Sequence, residues 1–393
     1  MDVVSPIICT AYMEGYCTVY FARPYDLKVG TFGARLKAVR PTLFFGVPRV
    51  WEKIAEKLKA VGAQSTGAKK ALSTWAKSYG TYAQTNSLLG GNGARGLAYP
   101  IANVLLGKIK EALGLNETKF MFSGAAPITR ETLEYFASLG VNINEAYGMS
   151  ETTGAVTWST NACHQWGSIG YELAGTEVRV MDSKNNVVPD ADNFDQPAES
   201  QQGEICFRGR QIMMGYLANP KFGEEHMEEM RKKNAETIDE NGFLHSGDKG
   251  SRSALGMFRI TGRYKELIIG AGGENIAPVP IEDNIKKLCP YVSNVMMYGD
   301  QKKFNVCVLT LKTVGATGEA PGTDKLDGEA KQYGKTIADA VANPKCIADI
   351  TKAIKDTGND GDVTPSNAAK IQKFTILPTD FSVQTEELTA TLK

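Results

Sequence analysis

Apolar positions along this chain fall into short β-branched or aromatic runs that alternate with stretches of helical spacing. Thr18-Val19-Tyr20-Phe21 reads as a strand ended by Pro24, residues 32–39 as a helix, and Thr42-Leu43-Phe44-Phe45-Gly46-Val47 as a strand closed by Pro48. Helices are expected over 50–61, 68–85 and 99–113. A buried strand, Lys119-Phe120-Met121-Phe122, then runs into a turn of small residues. A helix over 129–139 and a strand over 141–144 follow. Strand, helix, strand, helix is the grammar of an α/β fold with a parallel sheet.

From about residue 167 to 260 the pattern changes to alternation with a period of two. Glu177-Val178-Arg179-Val180-Met181, Glu204-Ile205-Cys206-Phe207-Arg208 and Met257-Phe258-Arg259-Ile260 are separated by Gly, Asn, Asp and Pro turns, the pattern of a β-rich subdomain. One charged helix, 223–237, interrupts it, with His226 on a solvated face among glutamates. Beyond Gly262-Arg263 comes a smaller unit. It has strands over 292–298 and 304–311, a Gly- and Thr-rich loop over 313–330, helices near 331–342 and 344–357, and a last strand over 374–377. The expected organisation is thus an incomplete N-terminal α/β domain (1–262) with a β-rich subdomain near 167–260, then a small mobile C-terminal α+β domain (263–393). No internal repeat or low-complexity tract stands out.

Composition narrows the function classes. Over 393 residues, Lys+Arg and Asp+Glu are 44 each, so the net charge is zero. This removes the basic footprint of a nucleic-acid binder. Seven cysteines lie far apart with no two-residue spacing, and none of the three histidines has a second at metal-ligand spacing; a reduced intracellular chain with buried thiols is expected. No apolar run approaches the roughly 18 residues of a membrane span. The first residues also lack the basic and apolar regions of a signal peptide.

Three glycine patterns invite comparison with phosphate loops. Gly91-Asn92-Gly93-Ala94-Arg95-Gly96 has no preceding strand, and Gly62-Ala63-Gln64-Ser65-Thr66-Gly67-Ala68-Lys69 places Ala68 where a Walker loop needs lysine. Gly270-Ala271-Gly272-Gly273, after Leu267-Ile268-Ile269, has the better context. Four other segments carry chemistry. Ser123-Gly124-Ala125-Ala126-Pro127 can lay backbone close under a planar base. Glu145-Ala146-Tyr147-Gly148-Met149-Ser150-Glu151 brings an aromatic face, a hydroxyl and a carboxylate to a strand end, where α/β sheets bind ligands. Ser246-Gly247-Asp248 offers a carboxylate suited to vicinal hydroxyls. Gly262-Arg263-Tyr264-Lys265 places a cation and a flexible residue at the domain boundary.

In order and spacing, Tyr147-Gly148-Met149-Ser150-Glu151, Gly203-Glu204-Ile205-Cys206-Phe207-Arg208-Gly209, Ser246-Gly247-Asp248 and Gly262-Arg263 resemble the adenylate-forming (AMP-binding) superfamily. Gly46-Val47-Pro48-Arg49-Val50-Trp51-Glu52-Lys53-Ile54 is similar to the long-chain acyl-CoA synthetase branch. The segments 145–152 and 272–282 are similar to its bubblegum type. The resemblance implies an ATP-dependent long-chain fatty acid–CoA ligase that uses ATP, Mg²⁺ and CoA, forming acyl-adenylate and then the thioester. It implies a nucleotide site made by Gly124, Ala125, Glu145, Ala146, Tyr147 (stacking on adenine), Gly148, Met149 and Ser150. Asp248 would hold ribose and Arg263 ribose or phosphate. Glu151 would be catalytic and hold Mg²⁺, Lys393 would be the adenylation lysine, and Lys265 the hinge of the second domain.

Two departures bear on this expectation. The superfamily's Ser/Thr/Gly-rich phosphate loop is absent, and the sequence stops at Lys393, so a family member truncated at both ends with impaired catalysis is expected. A non-catalytic homologue with weak nucleotide binding stays open. So does an adenylating enzyme for another carboxylate, although residues 46–54 argue against it. A cytoplasmic location, with peripheral contact at the endoplasmic reticulum membrane left open, completes the expectation.

Overall fold

The structure is a computed structural model that describes residues 18–23, 26, 30–271 and 274–389. The chain divides into two compact units, Met1–Ile260 and Thr261–Lys393. The first contains α1 (Phe32–Val39), β1 (Leu43–Phe45), α2 (Pro48–Ala63), α3 (Gly67–Thr85), α4 (Tyr99–Leu113), β2 (Phe120–Ser123), α5 (Arg130–Ser138), β3 (Asn144–Met149), β4 (Gly154–Trp158) and β5 (Tyr171–Glu172). It continues with β6 (Thr176–Met181), β7 (Gly203–Gly209), α6 (Glu224–Thr237), β8 (Leu244–Arg252) and β9 (Phe258–Arg263), the last crossing the division. The second unit has β10 (Ile268–Ile269), β11 (Asn275–Ile276), α7 (Pro278–Leu288), β12 (Val292–Tyr298), β13 (Asn305–Leu311), α8 (Ile337–Ala342), α9 (Pro344–Asn359) and β14 (Ile371–Ile376).

In the first unit, β1, β2 and β3 pair in parallel. Strands β4 and β5 then continue the sheet antiparallel, so it is mixed where a parallel sheet was expected. The reversal occurs because a tight turn after β3 leaves no room for the crossover that parallel pairing requires. Trp51 of α2 is fully buried between Phe44 and Phe136, and its Nε1 donates to the carbonyls of Gly46 (2.9 Å) and Phe122 (3.1 Å). One side chain therefore ties the entry of α2 to the end of β2. Strands β6 to β9 form a separate sheet over Val178, Val180, Ile205, Phe207, Leu244 and Phe258. This matches the period-two alternation. Helix α6 buries none of its residues, as its charged composition demands.

The second unit packs α9, through Cys346, Ile350, Ala353 and Ile354, into the same core as β12 and β13. Strands β12 and β13 are antiparallel, whereas β13 and β14 are parallel. Among the described residues, no helix is long and apolar enough to cross a membrane.

Three local expectations need correction. Thr18–Phe21 is not a strand: Tyr20 and Phe21 are 65% and 71% exposed and no ladder partner is present among the described residues. Propensity without a pairing neighbour does not make a strand. The strand placed at 141–144 begins at Asn144 and runs to Met149, because Val141 and Ile143 pack into the helical core ahead of the ladder. The segment 331–342 is not one helix: a 3₁₀ turn ends at Tyr333, and α8 starts only after the Thr336 cap, whose side chain accepts from Asp339 N at 3.2 Å.

Candidate nucleotide site

Three segments of the first unit meet around β3. Ser123 ends β2 and pairs with Glu145, the second residue of β3. The chain then turns at Gly124, where a Cβ would lie 2.9 Å from the Ala146 carbonyl, and at Ala125, whose φ of 66° is left-handed. A non-glycine residue held there costs about 1–2 kcal/mol. The hydroxyl of Ser123 is buried and has no hydrogen-bond partner among the described residues. A strained turn beside an unpaired buried hydroxyl marks a place shaped for something other than packing.

Along β3 the close approach continues. Gly148 lies so near β4 that an added Cβ would come within 1.9 Å of the Gly154 carbonyl, and the ladder shifts register between Tyr147 and Gly148. The Tyr147 ring packs against Phe207, and its hydroxyl donates to Asp248 Oδ2 at 2.5 Å. Asp248 is buried within β8 rather than on a plain turn. The preceding Gly247, at φ 73°, donates its N–H to Glu204 Oε1 at 2.7 Å. Glu204 on β7 is thus a positioning residue for the carboxylate of Asp248.

Glu145 still meets solvent over part of its surface, yet protein atoms crowd its carboxyl. Desolvation pushes its pKa up to about 8, against the Gly167 N–H bond (3.1 Å) and the charge of Arg259, which pull it down. Crowding dominates because it acts on the whole carboxylate, whereas a single N–H offsets only part of the lost hydration. Glu151 sits on the 3₁₀ turn after β3. Its Oε1 accepts from the Tyr216 hydroxyl at 2.8 Å, and its carbonyl accepts from Met213 N at 2.8 Å. Burial first, then this bond, holds the Tyr216 phenol at about 12, so the tyrosine keeps its proton as donor. A hard carboxylate oxygen on such a turn fits Mg²⁺, which takes one or two protein carboxylates and fills its shell with water and phosphate oxygens.

Gly124, Ala125, Glu145, Ala146, Tyr147, Gly148, Met149, Ser150, Glu151 and Asp248 therefore all belong to the first unit. Arg263 and Lys265 belong to the second, Arg263 at the exposed end of β9 and Lys265 in the turn after it, and Arg263 Nη1 meets Glu266 Oε1 at 3.4 Å. Gly270 begins a hairpin turn between β10 and β11; Gly272, Gly273 and Lys393 lie outside the described residues. The motifs did not point to Tyr216, which is 65 residues from Glu151 along the chain. Nor did they assign a role to Glu204, although it lay within a quoted motif; only the β7–β8 pairing brings it under Gly247.

With the candidate nucleotide-site residues on β3 and β8 and a smaller unit following along the chain, the order of elements matches that expected of an AMP-binding enzyme. The AMP-binding enzyme family matches residues 4–217, and the AMP-binding enzyme C-terminal domain matches residues 265–354. The chain belongs to the AMP-binding enzyme family.

Relatives in this family include the chicken (Gallus gallus) protein named long-chain-fatty-acid–CoA ligase ACSBG2, 42% identical over 386 residues, covering 95% of this chain and 46% of the relative. The human protein of the same name is 36% identical, covering 100% of this chain and 55% of the relative. Human ACSBG1 is 37% identical, covering 95% and 49%. The likeness to bubblegum-type synthetases expected from the motifs thus extends over nearly the whole chain. The chain spans about half the length of these curated relatives. In fold it is similar to the adenylation domain of a carboxylate reductase from Mycobacterium chelonae, with a TM-score of 0.59, 19% identity, and coverage of 93% of this chain and 46% of that one. It is equally similar to the corresponding domain from Segniliparus rugosus, solved with AMP, with a TM-score of 0.59, 20% identity, and coverage of 95% and 47%.

Proposed function

We propose that this chain carries the adenine- and ribose-binding half of an ATP-dependent long-chain fatty acid–CoA ligase, together with its C-terminal domain. The observation that carries the reading is the Tyr147–Asp248 hydrogen bond beside the Gly124–Ala125 turn. It brings together a turn with close backbone approach, an aromatic ring and a buried carboxylate around one strand end. The names of the relatives supply the acyl substrate class and CoA.

In this reading the fatty carboxylate attacks the α-phosphate of ATP, pyrophosphate leaves, and CoA thiolate then displaces AMP from the acyl-adenylate. Gly124, Ala125 and residues 145–150 line the base, with Tyr147 stacking on it, and Asp248 accepts from the ribose hydroxyls. Glu145 stays uncharged near neutral pH, which spares an incoming triphosphate one like-charge repulsion. Mg²⁺ held at Glu151 would supply charge neutralisation at the phosphates. Arg263 reaches ribose or phosphate, Lys393 serves adenylation, and Lys265 is the hinge between half-reactions.

Two measurements test this. Calorimetric titration of AMP into the chain should show Asp248→Ala binding at least about 10- to 100-fold more weakly, because the loss of even one bond to a charged acceptor costs roughly 1.5–3 kcal/mol. Unchanged affinity would remove Asp248 from the ribose. Pyrophosphate release by a protein extended to the relatives' length should require palmitate; release driven by an amino acid would overturn the acyl substrate class.

A further inference from the structure

Beneath the Gly247 turn, whose N–H is held by Glu204 Oε1, three chemically different ligand groups converge, and the nucleotide reading leaves Cys206, His245 and the second oxygen of Glu204 without a role. Cys206 Sγ lies 3.5 Å from His245 Nδ1, and Glu204 Oε2 lies 2.8 Å from the same nitrogen. All three ligand atoms fall within 4.8 Å of one another. The arrangement follows from strand geometry, since Cys206 and His245 are direct cross-strand partners. Glu204, two residues before Cys206, lies on the same face of β7 across a register shift in the ladder, and its carboxylate meets the same imidazole. Cys206 is fully buried and forms the floor, while the side chains of His245 and Glu204 are 18% and 24% exposed and form the mouth.

A second observation comes from the far side of the ring. Asp239 stands 3.9 Å from His245 Nε2, with its side chain 9% exposed. Its Oδ1 accepts from the N–H groups of Asn241 and Phe243, but its buried Oδ2 has no hydrogen-bond partner. A buried carboxylate oxygen aimed at the ring and left without a donor is costly as it stands. At 3.9 Å from Nε2 it makes no hydrogen bond as placed, but an imidazole with its proton on Nε2 would satisfy it after closing by about 1 Å, and would leave Nδ1 as a lone-pair donor towards Cys206 and Glu204.

We infer that Glu204, Cys206 and His245 form a three-ligand site for a soft or borderline divalent cation of the Zn²⁺ class, with Asp239 as the outer carboxylate that orients the histidine. Zn–S near 2.3 Å and Zn–N near 2.0–2.1 Å place tetrahedral ligand atoms roughly 3–4 Å apart. The Cys206–His245 separation already meets this, and the Glu204–His245 pair opens by a few tenths of an ångström once no proton is shared between them. The thiol proton leaves to solvent, and water takes the fourth position on the exposed side. One thiolate, one imidazole and one carboxylate suit Zn²⁺ or Co²⁺ and reject Mg²⁺ and Ca²⁺, which favour all-oxygen shells. A histidine that donates its second nitrogen to a carboxylate is the usual support of such a site.

Titration of the full chain with Co²⁺ under anaerobic conditions tests the assignment, because cobalt reports its ligands optically. One Co²⁺ per chain should bind with a thiolate-to-cobalt charge-transfer band and tetrahedral visible bands, and Zn²⁺ should displace it. Cys206→Ser should remove the charge-transfer band, whereas Cys163→Ser, at a partly exposed thiol outside the cluster, should keep it. Asp239→Asn should weaken the affinity roughly 10-fold or more without changing the spectrum. Since Cys206 is a core position, His245→Gln at the mouth gives an independent check and should abolish tight binding. A charge-transfer band that survives Cys206→Ser, binding indifferent to His245→Gln, or no thiolate–cobalt band in the parent chain would overturn the site.

Discussion

Glu145 shows how a single residue can be read as chemistry and still hold a surprise. Its place in the motif marked it only as a residue lining the nucleotide; crowding raises its pKa to about 8. The unfolded chain releases this proton near the ordinary value of 4.5. Between those two points the unfolded state binds fewer protons than the folded one, so stability falls as pH rises. The contribution is fully present below about pH 4.5 and gone above about pH 8, with a slope of at most about 1.4 kcal/mol per pH unit. Glu145→Gln has no proton to lose. Its urea midpoint, compared with that of the parent, should gain steadily between about pH 5 and about pH 8 and level off beyond; parallel curves would mean that the carboxyl is ionised in the fold. Ser123 teaches a related lesson: its hydroxyl was legible as a small turn residue, but its lack of a partner exists only in three dimensions.

The elements that hold the site were mostly legible where one periodicity ran uninterrupted. Helix α2 is an example, with Pro48 at its first position and Trp51, Ile54 and Ala55 on one face. The sequence did not reveal that Trp51 is also a donor that bridges Gly46 and Phe122 and so sets where β2 ends. Trp51→Phe keeps an aromatic ring but takes the indole donor from the Gly46 carbonyl and leaves the Phe122 carbonyl only its bond from Gly46 N, and should cost about 1–3 kcal/mol in chemical denaturation. Trp51→Ala should cost about 3–5 kcal/mol, as a cavity opens between Phe44 and Phe136. A negligible change for the phenylalanine variant would leave the bridge without energetic weight. Strand β3 was misplaced by a few residues because Val141 and Ile143 serve a helical core, and burial alone does not distinguish a ladder from an approach to it.

At the scale of the whole molecule, the two units join along the chain at residues 260–261, and the exposed end of β9 and the turn after it offer Arg263 and Lys265 to proteases. Limited trypsin digestion should cut there first, leaving two resistant fragments that correspond to the units. Earlier cleavage within α6, despite its exposed Arg231 and Lys232, would mean that the turn is better protected than its exposure implies. The sequence by itself determined the class of fold and the family, and it supplied the candidate nucleotide-site residues, because these depend on periodicity and on short contiguous segments. Tertiary structure alone decided that Tyr147 bonds Asp248, that Tyr216 holds Glu151, and that Glu204, Cys206 and His245 share one corner with Asp239. Such pairings come from strand register and turn geometry between residues tens of positions apart, and a one-residue slip in a ladder would send the side chains of the slipped strand to the opposite face.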